Sequence, residues 1–256
     1  MSDLVTDIHP PIARVTINRP DRRNAISSAM WQELEAIAAR LNDDPTIKIA
    51  VIAGAGTAAF SAGADIVEMQ QGLADPTRMK VMQQAVLDAQ AAWERLPMPT
   101  LAVIRGACTG GGCGLALACD LRLATPDAFF AIPPAKLGLA YSLADTKRLY
   151  DLVGPSRSKE ILYTGRRILA DEALSLGLVN EIVAAEALEE RAVFLAGEIA
   201  ENAGNSVRAA KAVVNMITTG VLTETSESRR YYDESFSSPE FLEGARAFIE
   251  KRRPRF

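Results

Sequence analysis

Two glycine-rich stretches hold the residues whose types and spacing could do chemistry: GAGTAAFSAGADI, from Gly54 to Ile66, and GACTGGGCGLALACD, from Gly106 to Asp120. Each follows an apolar run of strand type, and the second leads into an apolar helical run. The first amides of such a helix have no partner inside it, and glycines let a ligand approach the backbone closely. If the amide of Ala64 converges with one from the second stretch, the pair forms an oxyanion hole for charge developing on a carbonyl oxygen. The same glycines would serve equally in tight turns between strand and helix, and spacing alone leaves both uses open. Gly54, Gly56 and Ala59 also satisfy a G-x-G-x-x-A pattern. A dinucleotide turn, however, must open directly into a helix, whereas FSAGAD intervenes here with another glycine.

A third stretch, FFAIPPAKLGLAYS from Phe129 to Ser142, offers one tyrosine, Tyr141, and no carboxylate. His9 is the only histidine and sits beside Pro10 and Pro11, which argues against a histidine triad or metal centre. Cys108, Cys113 and Cys119 lack a C-x-x-C pair, are odd in number, and read as small buried residues. With 28 lysines and arginines against 32 aspartates and glutamates, the net charge is −4. That balance gives no basic field for nucleic acid or an anionic membrane and favours a small-molecule partner. No charged-then-apolar leader opens the sequence, and no apolar run reaches the roughly 18 residues that a bilayer needs, so a cytoplasmic protein is expected.

The elements that must hold these stretches are strands alternating with helices. IARVTINR (Ile12 to Arg19), IKIAVIAG (Ile47 to Gly54) and TLAVIRGACTG (Thr100 to Gly110) read as strands, the last two covered on both faces. Met30, Leu34, Ile37 and Leu41 form one helical stripe; Leu188, Ala192, Leu195 and Ile199 form another. EFLEGARAFIEKRR (Glu240 to Arg253) reads as a closing amphipathic helix with a cationic last turn. IAVIAGAG and LAVIRGACTGG are alike, which hints at a repeated strand-turn-helix unit. The fold class is α/β, with a core over residues 1–190 and a helical region over 191–256. Trp31 and Trp93 lie in helical patterns as core or interface residues, and Asp120 reads as structural.

The same stretches make the chain resemble the enoyl-CoA hydratase/isomerase family, the crotonase superfamily. The resemblance rests on NRPDRRNAI (Asn18 to Ile26), AFSAGADIVEM (Ala59 to Met69), GACTGGGCGLALACDLRLAT (Gly106 to Thr125), LGL with RL ten residues on (Leu137 to Leu149), TGRRILADEALSLGLVNEIV (Thr164 to Val183) and GARAFIEKRRPRF (Gly244 to Phe256). It implies a crotonase-like spiral of β-β-α repeats with a helical C-terminal region, assembled as a homotrimer or dimer of trimers. It also implies an acyl-CoA substrate whose thioester enolate is held by two backbone amides, which by motif position are those of Ala64 and Gly111. Coenzyme A then arrives as part of the substrate, and no cofactor is permanently bound. Ala62, Asp65 and Ile66 would lie against adenine and pantetheine, Arg22 or Arg23 would meet the CoA phosphates, and Phe248 and Lys251 would close over the cofactor.

Departures from the family pattern bear on the reaction. Hydratases of the family carry two glutamates that hold and deprotonate a water; this chain has Gly114 and Pro134 there. Where isomerases often keep an acid, it has Ser142. Tyr141 matches a tyrosine of decarboxylases that resemble methylmalonyl-CoA decarboxylase, although those carry histidine at the place of Ala64. Loss of carbon dioxide from a β-carboxy thioester makes the enolate without a base, and a phenol of pKa about 10 can then donate the proton. The preferred expectation is therefore base-free enolate chemistry with Ala64, Gly111 and Tyr141 as catalytic residues. One alternative is an enoyl-CoA hydratase or isomerase of fatty-acid oxidation using a displaced acid, Glu68 or Asp145. A non-catalytic acyl-CoA-binding protein is the other. Lys136 and Lys147 are further candidates for recognising a substrate carboxylate.

Overall fold

The computed structural model describes residues 2–256. A hairpin of β1 (Leu4–His9) and β2 (Ile12–Ile17) leads through a 3-10 turn at Pro20–Arg22 into α1 (Ser28–Asn42). Then come β3 (Ile49–Gly54), β4 (Ala59–Ser61), α2 (Ile66–Leu73), α3 (Pro76–Glu94), β5 (Thr100–Ile104), β6 (Ala107–Thr109) and α4 (Gly111–Leu117). The third repeat is β7 (Leu121–Ala124), β8 (Phe129–Ala131), a 3-10 turn at Pro134–Leu137 and α5 (Leu143–Thr164). After β9 (Arg167–Leu169), α6 (Ala170–Ser175) and β10 (Glu181–Ile182), the chain ends in α7 (Leu188–Ala200), α8 (Gly204–Thr218), α9 (Ser226–Ser235) and α10 (Pro239–Ile249).

Each repeat gives one strand to each of two sheets. The larger sheet runs β1-β2-β3-β5-β7-β10, parallel except for the β1–β2 hairpin; the smaller runs β4-β6-β8-β9, with only β8–β9 antiparallel. This is the β-β-α spiral. TLAVIRGACTG, read as one strand, is instead two strands in different sheets. The break falls at Gly106, where φ is +57° and a Cβ would sit 2.2 Å from Ala58 O. Only glycine allows the chain to pass from one sheet to the other so close to a neighbouring backbone.

The central strands are buried on both faces because two layers cover them. Ile49, Val51, Leu101, Val103 and Leu123 pack against Leu188, Ala192, Ala196 and Ala200 of α7. The alternate residues Ala50, Ile52, Ala102, Ile104 and Ala124 belong to a second core with Met30, Trp31, Leu34, Ile37 and Leu41 of α1, Trp93 of α3 and Leu115 of α4. Both predicted stripes are thus real, with Leu195 and Ile199 at the edge of the first core. Asp120 is structural: its carboxylate accepts from the Thr100 amide (2.7 Å) and from Lys211 Nζ (2.7 Å). The closing helix stops at Ile249, short of the cationic turn. Lys251 there adopts φ +52°, and the Arg252 amide donates to Ala247 O, which ends the helix in a left-handed cap. No helix among the described residues is long and apolar enough to cross a membrane.

Candidate functional site

The two glycine stretches meet. Gly63 has φ +94°, and a Cβ on it would lie 2.9 Å from Thr109 O and 3.5 Å from the Gly111 nitrogen. Side chains on both sides fasten the junction: Ser61 Oγ accepts from the Gly63 amide (3.1 Å), and Thr109 Oγ1 donates to Ala62 O (2.8 Å). The early loop is pinned to it as well. Buried Asn24 donates to Ala55 O (2.9 Å) and Ala59 O (2.7 Å) while accepting from the Arg19 amide (3.0 Å).

Backbone pairing then aims the Ala64 amide. The Ile26 amide donates to Gly63 O (2.8 Å), and the Asp65 amide donates to Ile26 O (3.3 Å). In parallel pairing of this kind the intervening residue faces the other way, so the Ala64 N–H turns away from Ile26. Gly111 opens α4, where an amide has no intrahelical acceptor. Among the described residues neither amide donates a hydrogen bond. Two unpaired donors on abutting turns are what an oxyanion requires.

Asp65 and Glu68 are held in place by other groups. Asp65 is buried, accepts from the Val67 amide at the start of α2, and pairs with Arg19 (2.9 Å) and, at 3.5 Å, with Arg22. Burial would raise its carboxyl, but the Arg19 guanidinium and the Val67 amide outweigh this and hold it below the usual carboxylate range. Glu68 turns to α1, accepting from Ser28 N (2.7 Å) and Ser28 Oγ (2.9 Å), away from the acyl end imagined for it. Lys147 pairs with Asp151.

Arg23 instead lines a cleft of about 310 Å³ with Lys136 and Arg167, between Ala62 and Thr109 on one side and Pro133 and Gly165 on the other. The Arg167 guanidinium lies 4.4 Å from the centroid of the Phe129 ring. Ile66 is exposed at the start of α2, and Phe248 and Lys251 lie exposed at the end of α10, outside the lining of this cleft.

Further along α4, the space beside Gly114 is filled. A Cβ on Gly114 would lie 2.3 Å from Gln90 Nε2 and 2.9 Å from Asp145 Oδ1. Asp145 accepts from Ser142 Oγ (2.7 Å) and from Arg148 Nη1 (3.0 Å). Arg148 also donates to Gln90 Oε1 (3.3 Å) and to Glu94 (2.7 Å); despite burial, Glu94 and Asp145 hold its guanidinium firmly charged. The Tyr141 hydroxyl is buried with no hydrogen-bond partner among the described residues. Burial pushes the phenol well above its ordinary value, with Cys113 and Asp145 adding to the rise, so it stays protonated. Pro134, at the second glutamate's place, opens a 3-10 turn and is half-buried.

Gln90, Arg148 and Arg167 are the residues that sequence reasoning passed over. Gln90 had one available signal, a polar residue inside the buried stripe Ala85, Ala89, Trp93 of α3.

The whole chain can be placed among known proteins. A family profile described as enoyl-CoA hydratase/isomerase matches residues 7–256. A crotonyl-CoA hydratase of Syntrophomonas wolfei is 35% identical over 99% of this chain and 97% of its own length. A short-chain-enoyl-CoA hydratase of Clostridium acetobutylicum is 32% identical over the same shares, 99% and 97%. The crystal structure of an enoyl-CoA hydratase from Bacillus anthracis superposes with a TM-score of 0.92 at 33% identity, over 100% of this chain and 99% of that one. Abutting glycine turns, two unpaired amides and this likeness over the full length converge: the chain belongs to the enoyl-CoA hydratase/isomerase family, the crotonase superfamily of enzymes that process acyl-CoA thioesters.

Proposed function

We propose that this protein is an enoyl-CoA hydratase or isomerase in which Asp145 replaces the family's glutamates. The observation that carries this reading is the Asp145 carboxylate oxygen 2.9 Å from where a Cβ on Gly114 would lie. An acid is thus present at the vacated position, brought by α5 rather than α4. The relatives named hydratases support the same choice over decarboxylation. In hydration, Asp145 orients a water whose oxygen bonds to C3 of the enoyl thioester. The C2–C3 π electrons move onto the thioester oxygen, which the Ala64 and Gly111 amides stabilise. Tyr141, protonated and unpartnered, delivers the proton to C2 as the carbonyl re-forms. The water's proton passes to Asp145 and from there restores the Tyr141 hydroxyl, so the enzyme ends the cycle as it began it.

Around this centre, Arg23 takes the CoA phosphates, joined by Lys136 and Arg167 across the shared cleft. Arg22, tied to Asp65, contributes less. Ala62, Asp65 and Ile66 flank the adenine and pantetheine, with Asp65 acting through its backbone. Phe248 and Lys251 close over the cofactor, and the region from residue 191 onward serves assembly into a trimer or dimer of trimers. The exposed Ile217, Leu222, Tyr232, Phe241 and Leu242 suit that use.

The unpartnered Tyr141 hydroxyl favours one second reading, base-free decarboxylation of a malonyl-type thioester. Crotonyl-, malonyl- and methylmalonyl-CoA separate the two when enoyl absorbance and carbon dioxide are followed together. The expected result is crotonyl-CoA hydration that Asp145→Asn lowers on the order of 10²-fold and Tyr141→Phe at least about tenfold. Carbon dioxide release that survives Asp145→Asn and is lost in Tyr141→Phe would instead establish decarboxylation. If no thioester turns over while CoA esters raise the melting temperature, the protein binds without catalysing.

A further inference from the structure

Three consecutive glycines, Gly110 to Gly112, lose more conformational freedom on folding than any other triplet, and they have no side chains with which to hold themselves. An oxyanion donor works only if it is already aimed when charge develops. Something outside the turn must therefore fix it. The Gly110 amide donates to Ala131 O (2.9 Å), which sets the residue before the donor. Cys108 Sγ approaches Gly112 O at 3.8 Å, a weak contact. The peptide that carries the Gly111 N–H is held by its own carbonyl, Gly110 O, which accepts from the Gly114 amide (3.0 Å), and the next peptide is held from another helix by Gln90, which is 1% exposed and donates from Nε2 to Gly111 O at 3.1 Å.

Gln90 is itself held. Its Oε1 accepts from Arg148 Nη1 (3.3 Å), whose other bonds run to Asp145 (3.0 Å) and Glu94 (2.7 Å). A neutral amide between a backbone carbonyl and a buried guanidinium is polarised by its charged neighbour, which strengthens the bond to the carbonyl. The chain Arg148–Gln90–Gly111 thus joins α5, α3 and α4, and it exists only because residue 114 has no Cβ, which would fall 2.3 Å from Gln90 Nε2. We infer that Gln90, backed by Arg148, is a positioning residue that fixes the Gly111 carbonyl and, through the backbone angles of Gly111, the aim of the Gly111 amide toward the oxyanion. This rests on the reading that Gly111 supplies the oxyanion amide.

The test is Gln90→Leu on the full-length enzyme, assayed with whichever thioester the wild type turns over. A loosened donor lowers kcat roughly tenfold to 10²-fold and leaves KM within about twofold, because a misplacement near 1 Å is felt mainly in the transition state. Amide exchange over residues 107–118 quickens. Leu188→Ala, in the core behind the larger sheet, supplies a variant of lowered melting temperature whose kcat stays at the wild-type value. A kcat in Gln90→Leu within twofold of wild type would overturn the inference. Should the wild type turn over no thioester, the enolate reading fails, and the exchange measurement still decides: unchanged exchange in Gln90→Leu sinks the brace, and faster exchange supports it.

Discussion

The two sides of the candidate site are built from different materials. On one side, Ala64 and Gly111 contribute backbone amides, aimed by strand pairing, by glycine conformations and by the pins of Asn24, Ser61 and Thr109. On the other, Tyr141, Asp145, Gln90 and Arg148 contribute side chains from two helices and a loop, gathered in a polar cluster about Gly114. A backbone site can be changed only by changing the path of the chain, whereas a side-chain cluster can be rebuilt one residue at a time. That difference is why the family resemblance can hold along the glycine turns while Gly114 and Pro134 stand where it implies glutamates.

The comparison breaks most sharply at Gly111. Proline is accepted at the first position of a helix, so Gly111→Pro keeps α4 while deleting the amide hydrogen. Gly111→Ala adds a comparable Cβ, 3.2 Å from the Trp31 ring, and keeps the donor. We expect the proline variant to lose about 10²- to 10³-fold in kcat. The alanine variant should lose far less, and equal losses would mean that crowding against Trp31, not the amide, is what matters.

The neighbouring glycine sharpens the same side. Gly63→Ala forces a Cβ within 2.9 Å of Thr109 O at φ +94°, so both strain and collision oppose it. Gly110→Ala also meets a positive φ, +53°, but its nearest neighbour would be Gly63 Cα at 3.9 Å. Gly63→Ala should cost roughly 1–3 kcal/mol by chemical denaturation and lower kcat with it. Gly110→Ala, at φ +53° and ψ −125° outside the left-handed helical well, should cost a similar roughly 1–3 kcal/mol from backbone strain alone, with no collision to add.

Much of the backbone side was legible in the sequence, and little of the other. The stripes of α1 and α7 follow from period alone, because each faces one sheet and one solvent boundary. Two glycine turns after apolar strands left their meeting open, and the structure shows Gly63 against Thr109 and Gly111; the choice of Gly111 itself came from the family resemblance. The split of TLAVIRGACTG into β5 and β6 was not, since every residue is compatible with one long strand and only the approach of Ala58 O to Gly106 forbids it. Gln90 and Arg148 read as ordinary helical residues. Their significance arises from α3, α4 and α5 meeting, 21 and 58 residues apart along the chain. Glu68, four residues past Ala64, shows the converse: the spacing invited a catalytic role, and the start of α1 took the carboxylate instead.

Beside the glycine turns, at Ala62 and Thr109, lies the cleft of Arg23, Lys136 and Arg167. None of the three pairs with a carboxylate among the described residues, whereas Arg22 reaches Asp65. Arg23→Ala and Arg167→Ala should each raise KM for a CoA thioester several-fold at low salt, the effect shrinking as ionic strength shortens the screening length to about 8 Å. Arg22→Ala should do less. A larger effect from Arg22 would show that its bond to Asp65 opens when the thioester binds.

The smallest expected effect concerns acid, and it falls on the backbone side. Asp65 caps α2 and ties Arg19 to the turn that aims Ala64, and its carboxyl is held below the ordinary value of 3.8. A group depressed in the folded state binds protons more readily when unfolded. Its stabilisation is therefore complete above pH 3.8 and is lost as the pH falls from there through the folded value. Denaturation of wild type and Asp65→Asn followed from pH 6 to pH 2 should show a stability gap that is constant above that point and closes below it. Amide exchange should locate the closing gap in residues 62–68 and the Arg19–Arg22 loop rather than in 111–115, because the carboxylate touches the start of α2, Arg19 and Arg22 and nothing of the second turn. A gap that persists at pH 2 would mean that Asp65 holds the turn by its shape and not by its charge.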